Sequence, residues 1–277
     1  MLFGLLYLRR MIDIREKSAG ENWQKIRENF YKSLTSPFDG MWDELVHHRA
    51  QLWGIYDEDQ IAGYCAKDSK GHLINFFLED NYGHLKTALF KRVLYKLEPS
   101  NAIVSTNNPD FLVLSLDSSK KMAVHAYLFE NSNDVDLSVP EDFLDLNLVP
   151  ATMQDFRHLI DFCSKNIEAD PLWLESYIKR LIDRNEIHLL KNNGKIIGSC
   201  EIRKSLTQPA IADLGVIVDK AFRLKGIGSW LMAQAKKMGL SEGNTPICSC
   251  EHANIGSKKM IENAGFVSTN MVLKISF

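Results

Sequence analysis

The sequence predicts a mixed α/β (α+β) fold written twice along the chain. Three observations carry this. Apolar positions switch in alternation between the two-residue period of strands and the longer period of helices. Matching strand and turn patterns recur roughly 135 residues apart. In the second half, Ile211-Ala212-Asp213-Leu214-Gly215-Val216-Ile217-Val218 is a nearly unbroken β-branched and aliphatic run, as a central strand covered on both faces requires.

The elements follow in order. Met1 to Leu8 is apolar but far short of the roughly 20 residues a membrane helix needs. It lacks the basic leader and small-residue cleavage site of a signal peptide. Met11 begins a better strand, Met11-Ile12-Asp13-Ile14-Arg15, so the residues before it read as a dispensable extension. The strand pattern Ile12 to Lys17 returns as Leu146 to Ala151. Gln60-Ile61-Ala62-Gly63-Tyr64-Cys65 returns as Lys195-Ile196-Ile197-Gly198-Ser199-Cys200, each after a polar turn that marks a hairpin. Asn108 and Asn254 each follow a strand, and from each a helix and a final strand can be overlaid without a gap, pairing Val124–Phe129 with Asn270–Ile275. Asn131 to Asp136, running on to Pro140, has the composition of a linker. The expected domains are therefore 11–133 and 144–277. Within the second, strands are expected near 145–149, 187–203 (a hairpin), 211–218, 246–251 and 266–276. Helices are expected near 152–183, 227–239 and 255–263. A ligand site belongs where the strand ending at Val218 opens onto the next helix.

Composition narrows the function. With 45% hydrophobic and 25% charged residues among 277, the chain is a soluble globular type, and a formal charge of −2 gives no excess of positive charge for nucleic acid. No membrane partner is expected. The five cysteines are odd in number and scattered, which suits reduced thiols, a cytoplasmic setting and no metal site. Cys248 and Cys250 point to one face of a strand, where core packing is the plain reading.

After Val218 come Asp219-Lys220-Ala221-Phe222, then Arg223-Leu224-Lys225-Gly226-Ile227-Gly228-Ser229 and a helix with Ile227, Leu231, Ala235 and Met238 on one stripe. Glycines let backbone amides approach a ligand, and successive N–H groups at a helix start form an anion nest assisted by the helix dipole. Arg223 and Lys225 add mobile positive charge. A bare R-x-x-G-x-G is more often an ordinary turn, so its context matters. The nucleotide-binding G-x-x-x-x-G-K-[ST] is absent, and so is the first glycine of G-x-G-x-x-G.

Val218-x-x-x-x-Arg223-x-x-Gly226-Ile227-Gly228, followed by Asn254-x-x-Ser257-x-x-Met260-Ile261-x-x-x-Gly265-Phe266, resembles the two signature segments of the GNAT acyltransferases. The resemblance covers residue 145 to the C-terminus. It implies two tandem GNAT-like domains, each a mixed, mostly antiparallel sheet flanked by helices. It further implies that residues 223–229 hold the pyrophosphate of an acyl-CoA, that the backbone of Val216 and Val218 bonds its pantetheine, and that Asn254 and Ser257 border that arm. The family often has a tyrosine that protonates the leaving thiolate; here that position is Ile261. Lys220 stands where the family often has proline.

Acyl transfer to an amine needs an oxyanion donor, expected near Val218, and a carboxylate to take the ammonium proton directly or through water. Glu201 is the first candidate base and Asp213 the second, although a strand carboxylate that is merely paired explains either. Glu251 and His252 lie at a strand end as further options. The corresponding first-half segment, Phe76 to Ala88, has one glycine, Gly83, and carboxylates Glu79 and Asp80 where a diphosphate would sit. That half is expected to be a degenerate copy without a cofactor loop. Trp42, Trp53 and Tyr56 could line an acceptor pocket or pack in the core; Glu168 and Asp170 would suit a cationic acceptor.

The function expected is an acyl-CoA-dependent N-acyltransferase, with acetyl-CoA as co-substrate and a small amine as acceptor. A non-catalytic acyl-CoA-binding module and a protein N-acetyltransferase are the alternatives. Oligomeric state is open.

Overall fold

In a computed structural model of the chain, the residues described are 12–45, 49–143, 146–167 and 169–277. The apolar start, Met11 and Glu168 lie outside them. The chain forms two compact units, one running to Tyr127 and including Asn270–Phe277, the other spanning Leu128–Thr269.

The first unit holds β1 (Ile12–Glu16), α1 (Gln24–Ser33), α2 (Gly40–Leu45), β2 (Gln51–Asp57), β3 (Gln60–Lys67), β4 (Leu73–Leu78), α3 (Lys86–Leu97), β5 (Asn101–Ser105), α4 (Pro109–Asp117) and the start of β6 (Lys121–Asn131). Strands β1 to β4 pair antiparallel in sequence order, and β4 then meets β5 in parallel at Leu73↔Ala102. Helix α3 buries Leu89, Phe90, Val93 and Leu97 on one stripe against Phe76, Leu78, Ala102 and Val104. Each such side chain, fully buried, contributes about 1.5–3 kcal/mol. Trp23, Ile26 and Phe30, from α1 and the residue before it, pack on Tyr56 and Tyr64 in a second cluster.

The second unit holds β7 (Leu148–Pro150), α5 (Phe156–Asn166), α6 (Pro171–Asp183), β8 (Ile187–Asn192), β9 (Lys195–Lys204), β10 (Ile211–Val218), α7 (Ile227–Ser241), β11 (Thr245–Glu251), α8 (Ile255–Asn263) and most of the sequence leading into β12 (Phe266–Ser276). Here β7, β8, β9 and β10 pair antiparallel, and β10 meets β11 in parallel. Alternation along β9 turns Gly198 and Cys200 toward α7, where a Cβ on Gly198 would stand 2.7 Å from Leu231 Cδ1. Ser199, Glu201 and Arg203 face the other way, toward α6.

The repeat is visible in the caps. Asn108 at the start of α4 accepts from Phe111 N–H at 3.3 Å, and Asn254 at the start of α8 accepts from Ser257 N–H at 3.0 Å. Each offsets one of the orphan donors of a helix start. The final strands depart from the 11–133 and 144–277 division. The neighbour of β5 is β12, paired from Val272↔Ser105 to Ser276↔Asn101, while β6 is the neighbour of β11. Each half therefore contributes its last strand to the other half's sheet order. Overlaying the two halves equates β6 with β12 and cannot tell which of them each sheet takes.

All five cysteines are buried, Cys248 and Cys250 included. Tyr56 lies in the α1 cluster, with Trp42 packed against it, and Trp53 packs on the other core, so all three serve as packing. No helix among the described residues is long and apolar enough to cross a membrane, and no group of three metal-ligating side chains occurs among them.

Candidate active site

Strand β10 is paired on one side along its length and on the other only at its start. With β9 the register runs from Ala212↔Lys204 to Val218↔Gly198. With β11 it covers only Ile211↔Thr245, Ala212↔Pro246 and Asp213↔Ile247, after which the two strands part. Asp219 N–H donates to Ile197 O at 2.9 Å, so odd-numbered residues of this stretch turn their backbone groups toward β9. By alternation the N–H and C=O of Leu214, Val216 and Val218 point into the gap. Gly215, Val216, Ile217 and Val218 are partly exposed although they belong to an inner strand.

The loop beyond the gap is held by its own side chains. Asp219 accepts from Ala221 N–H at 2.8 Å and caps a single 3₁₀ turn, Lys220–Phe222. Lys220 N–H donates to Asn166 Oδ1 at 2.9 Å. Arg223 donates through Nε to Val218 O at 3.1 Å and through a terminal nitrogen to Asn166 O at 3.0 Å. This corrects the expectation of a mobile Arg223 charge: its guanidinium fastens the loop to β10 and α5. Lys225 stays exposed, its ammonium 5.6 Å from the Phe222 ring centre.

Gly226 has φ +83°, and a Cβ there would also press on Pro140 Cγ at 3.2 Å. Only glycine adopts this left-handed conformation without strain. Trp230 N–H is the first bonded inside the turn, to Gly226 O at 3.1 Å. The N–H groups of Ile227, Gly228 and Ser229 therefore face outward at the positive end of α7. A Cβ on Gly228 would lie 3.0 Å from Met260 Sδ and 3.6 Å from Val218 Cγ2, so its absence lets α7, α8 and β10 converge. Leu224 projects fully into solvent. Asn254 is exposed and spends its side-chain oxygen on Ser257 N–H. Glu251 and His252 are exposed at the end of β11, whereas Ile261 is buried at 1% and offers no proton.

On the α6 face, the two predicted carboxylates come together through residues the sequence had not singled out. Asp213 lies opposite Arg203 and Gly215 opposite Glu201, all on one face of β9 and β10. Arg203 pairs with Glu201, and with Asp213 at 3.1 Å. Tyr177 of α6 donates to Glu201 Oε2 at 2.5 Å and accepts from Arg203 at 3.1 Å. Glu201, Arg203, Asp213 and Tyr177 are all buried. Burial opposes the Arg203 charge, but Asp213, Tyr177 and Glu201 outweigh it and hold its pKa well above the ordinary value. Burial, helped by Glu201 and opposed by Arg203, lifts that of Tyr177 well above the ordinary phenol. One guanidinium between two carboxylates leaves the cluster a net negative charge. Trp173 stacks on Tyr177 with ring centres 4.6 Å apart, and Asp170 caps α6 by accepting from Trp173 N–H at 2.8 Å. Strand alternation puts Arg203 on one face with Glu201; Tyr177 gave no signal beyond its place on a helical stripe.

Two family descriptions account for most of the chain. Residues 20–132 match the acetyltransferase (GNAT) domain and residues 153–266 the acetyltransferase (GNAT) family. The chain carries two GNAT domains in tandem. Its fold is shared end to end by a GNAT-family acetyltransferase from Colwellia psychrerythraea, with TM-score 0.89, 25% identity, and 96% of this chain and 99% of that one covered. A GCN5-related N-acetyltransferase from Sphaerobacter thermophilus matches with TM-score 0.66 and 12% identity over 95% and 94%. A tandem GNAT protein from the clavulanic acid biosynthesis pathway matches with TM-score 0.61 and 11% identity over 95% and 98%. No curated protein matches the sequence. The Gly226 loop belongs to the second GNAT domain; in the first, Asp80–Leu85 forms a 3₁₀ turn where that loop would be, with Glu79 bonded by Asn29.

Proposed function

We propose that the second GNAT domain is an acyl-CoA-dependent N-acyltransferase that takes acetyl-CoA and a small amine. The observation that carries this is the gap between β10 and β11, into which the backbone of Val216 and Val218 points, ending at the outward amides of α7. Bound there, acetyl-CoA supplies an activated thioester. Val216 and Val218 offer it strand-like backbone bonds, the last with its N–H alone, since its oxygen already serves Arg223. The amides of residues 226–229 and the Lys225 charge suit the diphosphate. The Val218 N–H is the donor for a developing oxyanion. Glu201 is the leading base: its contacts with Tyr177 and Arg203 both fall on Oε2. The net negative charge of the cluster favours an ammonium over an anion as acceptor. Asp213, bound to Arg203 and deeper in the sheet, positions that charge.

Equilibrium binding of acetyl-CoA to the whole chain, with Gly226→Val as comparison, tests the cofactor reading. Tight saturable binding that falls by at least tenfold in the variant is expected; equal binding by both proteins refutes the site. The buried Ile261 favours a second reading, a domain that binds acyl-CoA without turnover. Thiol release across a panel of amines separates the two, because a binding module releases none.

A further inference from the structure

The segment between the two halves of the sequence is more than a tether. Val135, Leu137, Val139 and Pro140 are partly buried, while Asp134, Asp136 and Ser138 between them are exposed. A solvated linker has no reason to alternate in this way; a chain laid extended on a surface does.

Its course lies within the second unit. The N–H groups of Ser132 and Asn133 both donate to Gly265 O at 3.1 Å, and Asn133 O accepts from the buried Lys236 ammonium at 2.6 Å. A Cβ on Gly265 would stand 2.8 Å from Val135 Cγ2, so the strap closes on that glycine. Lys237, the next residue of α7, holds Asp136 at 2.6 Å. From there the strap reaches the start of the same helix. A Cβ on Gly226 would lie 3.2 Å from Pro140 Cγ, which means that the proline ring fills the space a side chain at residue 226 would take. Phe143 N–H donates to Pro140 O at 2.8 Å across the 3₁₀ turn Glu141–Phe143, so the two residues are set as one piece. Phe143 is 4% exposed and meets the Phe222 ring edge-on, with ring centres 6.1 Å apart. The Lys225 ammonium lies within cation–π range of that same Phe222 ring.

The loop so gripped needs support. Leu224 has φ +62° and Gly226 φ +83°, two left-handed residues within three. A leucine adopts that conformation under strain, and because Leu224 projects into solvent no packing of its own side chain offsets it. Arg223 fastens the loop to Val218 O and Asn166 O. The remaining grips come from the strap, Phe143 on Phe222 and Pro140 on Gly226.

We propose that residues 132–143 buttress the cofactor site, with Pro140 and Phe143 as positioning residues that hold the loop at 222–226 and the Lys225 cation in the form that receives an acyl-CoA diphosphate. This role rests on the reading of that loop as the diphosphate site. Both residues act through the neighbours they pack on. With the buttress loosened, ligand binding must itself order the loop, and that ordering subtracts from affinity.

Isothermal titration of acetyl-CoA into the whole chain is the test. Pro140→Gly, which removes the ring, and Phe143→Ala, which removes the edge contact, should each weaken binding by about fivefold or more, while thermal melting shows both folded. A merely structural loss would not depend on Lys225, so a double-mutant cycle separates the two roles. In a Lys225→Ala protein, Phe143→Ala should weaken binding by no more than about twofold, because the cation it positions is already gone. Pro140 is partly exposed, so Pro140→Gly keeps the test open if Phe143→Ala does not fold. A wild-type chain that binds no acetyl-CoA refutes the diphosphate reading and the buttress with it. Wild-type binding that changes less than about twofold in the folded single variants, or a Phe143→Ala loss repeated in full without Lys225, overturns the buttress alone.

Discussion

Replacing Arg203 with methionine removes the one cation between two carboxylates that the second unit buries. Glu201 is 6% exposed and Asp213 2%, so water cannot take over the guanidinium's part. Breaking a buried pair from one side costs about 3–5 kcal/mol, because the surviving charge stays desolvated. With a urea slope of about 2 kcal/mol per molar for a unit of this size, the unfolding midpoint should fall by about 2 M. Urea unfolding followed by tryptophan fluorescence is the assay, with Trp173 and Trp230 reporting the second unit. The triple variant Glu201→Gln, Arg203→Met, Asp213→Asn should recover most of the loss, as removing all charges together leaves none unpaired. A loss under about 1 kcal/mol would mean the cluster is not the buried network described and would refute the reasoning.

Glu201→Gln should lower kcat/KM for an amine by about 10²–10⁴-fold while acetyl-CoA binding stays within twofold; steady-state kinetics beside equilibrium binding checks both. Lys236→Met should cost about 2–3 kcal/mol in chemical denaturation, because the buried Lys236 ammonium donates to Asn133 O at 2.6 Å and Ala264 O at 2.8 Å and both carbonyls would be orphaned. Burial pushes the Cys163 thiol up from 9.0 to about 12 and that of Cys250 to about 11. A folded-state value above the unfolded one stabilises the fold fully below pH 9 and loses that contribution as pH rises through the folded values. Denaturation midpoints should therefore drop between pH 8 and pH 10.5, and native thiols should resist a disulfide reagent at pH 8 that labels the urea-unfolded chain.

Much of this was written locally. Strand β10 occupies Ile211–Val218 and α8 Ile255–Asn263, the ranges periodicity gives, because each begins and ends on strong signals: an aliphatic run, or an asparagine cap and a following Gly265. The turn into α7 was equally legible, since Gly226 adopts a conformation other residues avoid. What escaped the sequence depends on distant partners. That Arg203 bridges Glu201 and Asp213 requires the register of β9 on β10, and that Tyr177 completes the group requires the rotation of α6 above them. Arg223 looked like free charge because its acceptors, Val218 O and Asn166 O, are backbone atoms that no residue type advertises.

The exchanged final strands govern the order in which this polypeptide can mature. Strand β5 is made early, yet its partner Val272–Ser276 lies in the second half of the sequence and is made only after the whole second GNAT domain has been threaded out. The first unit must wait for those residues to close its sheet, with the β5 edge unpaired in the meantime and exposed to chance pairing. A chain cut after the first half would keep that open edge, so the two copies, although each reads as a module, mature as one transaction.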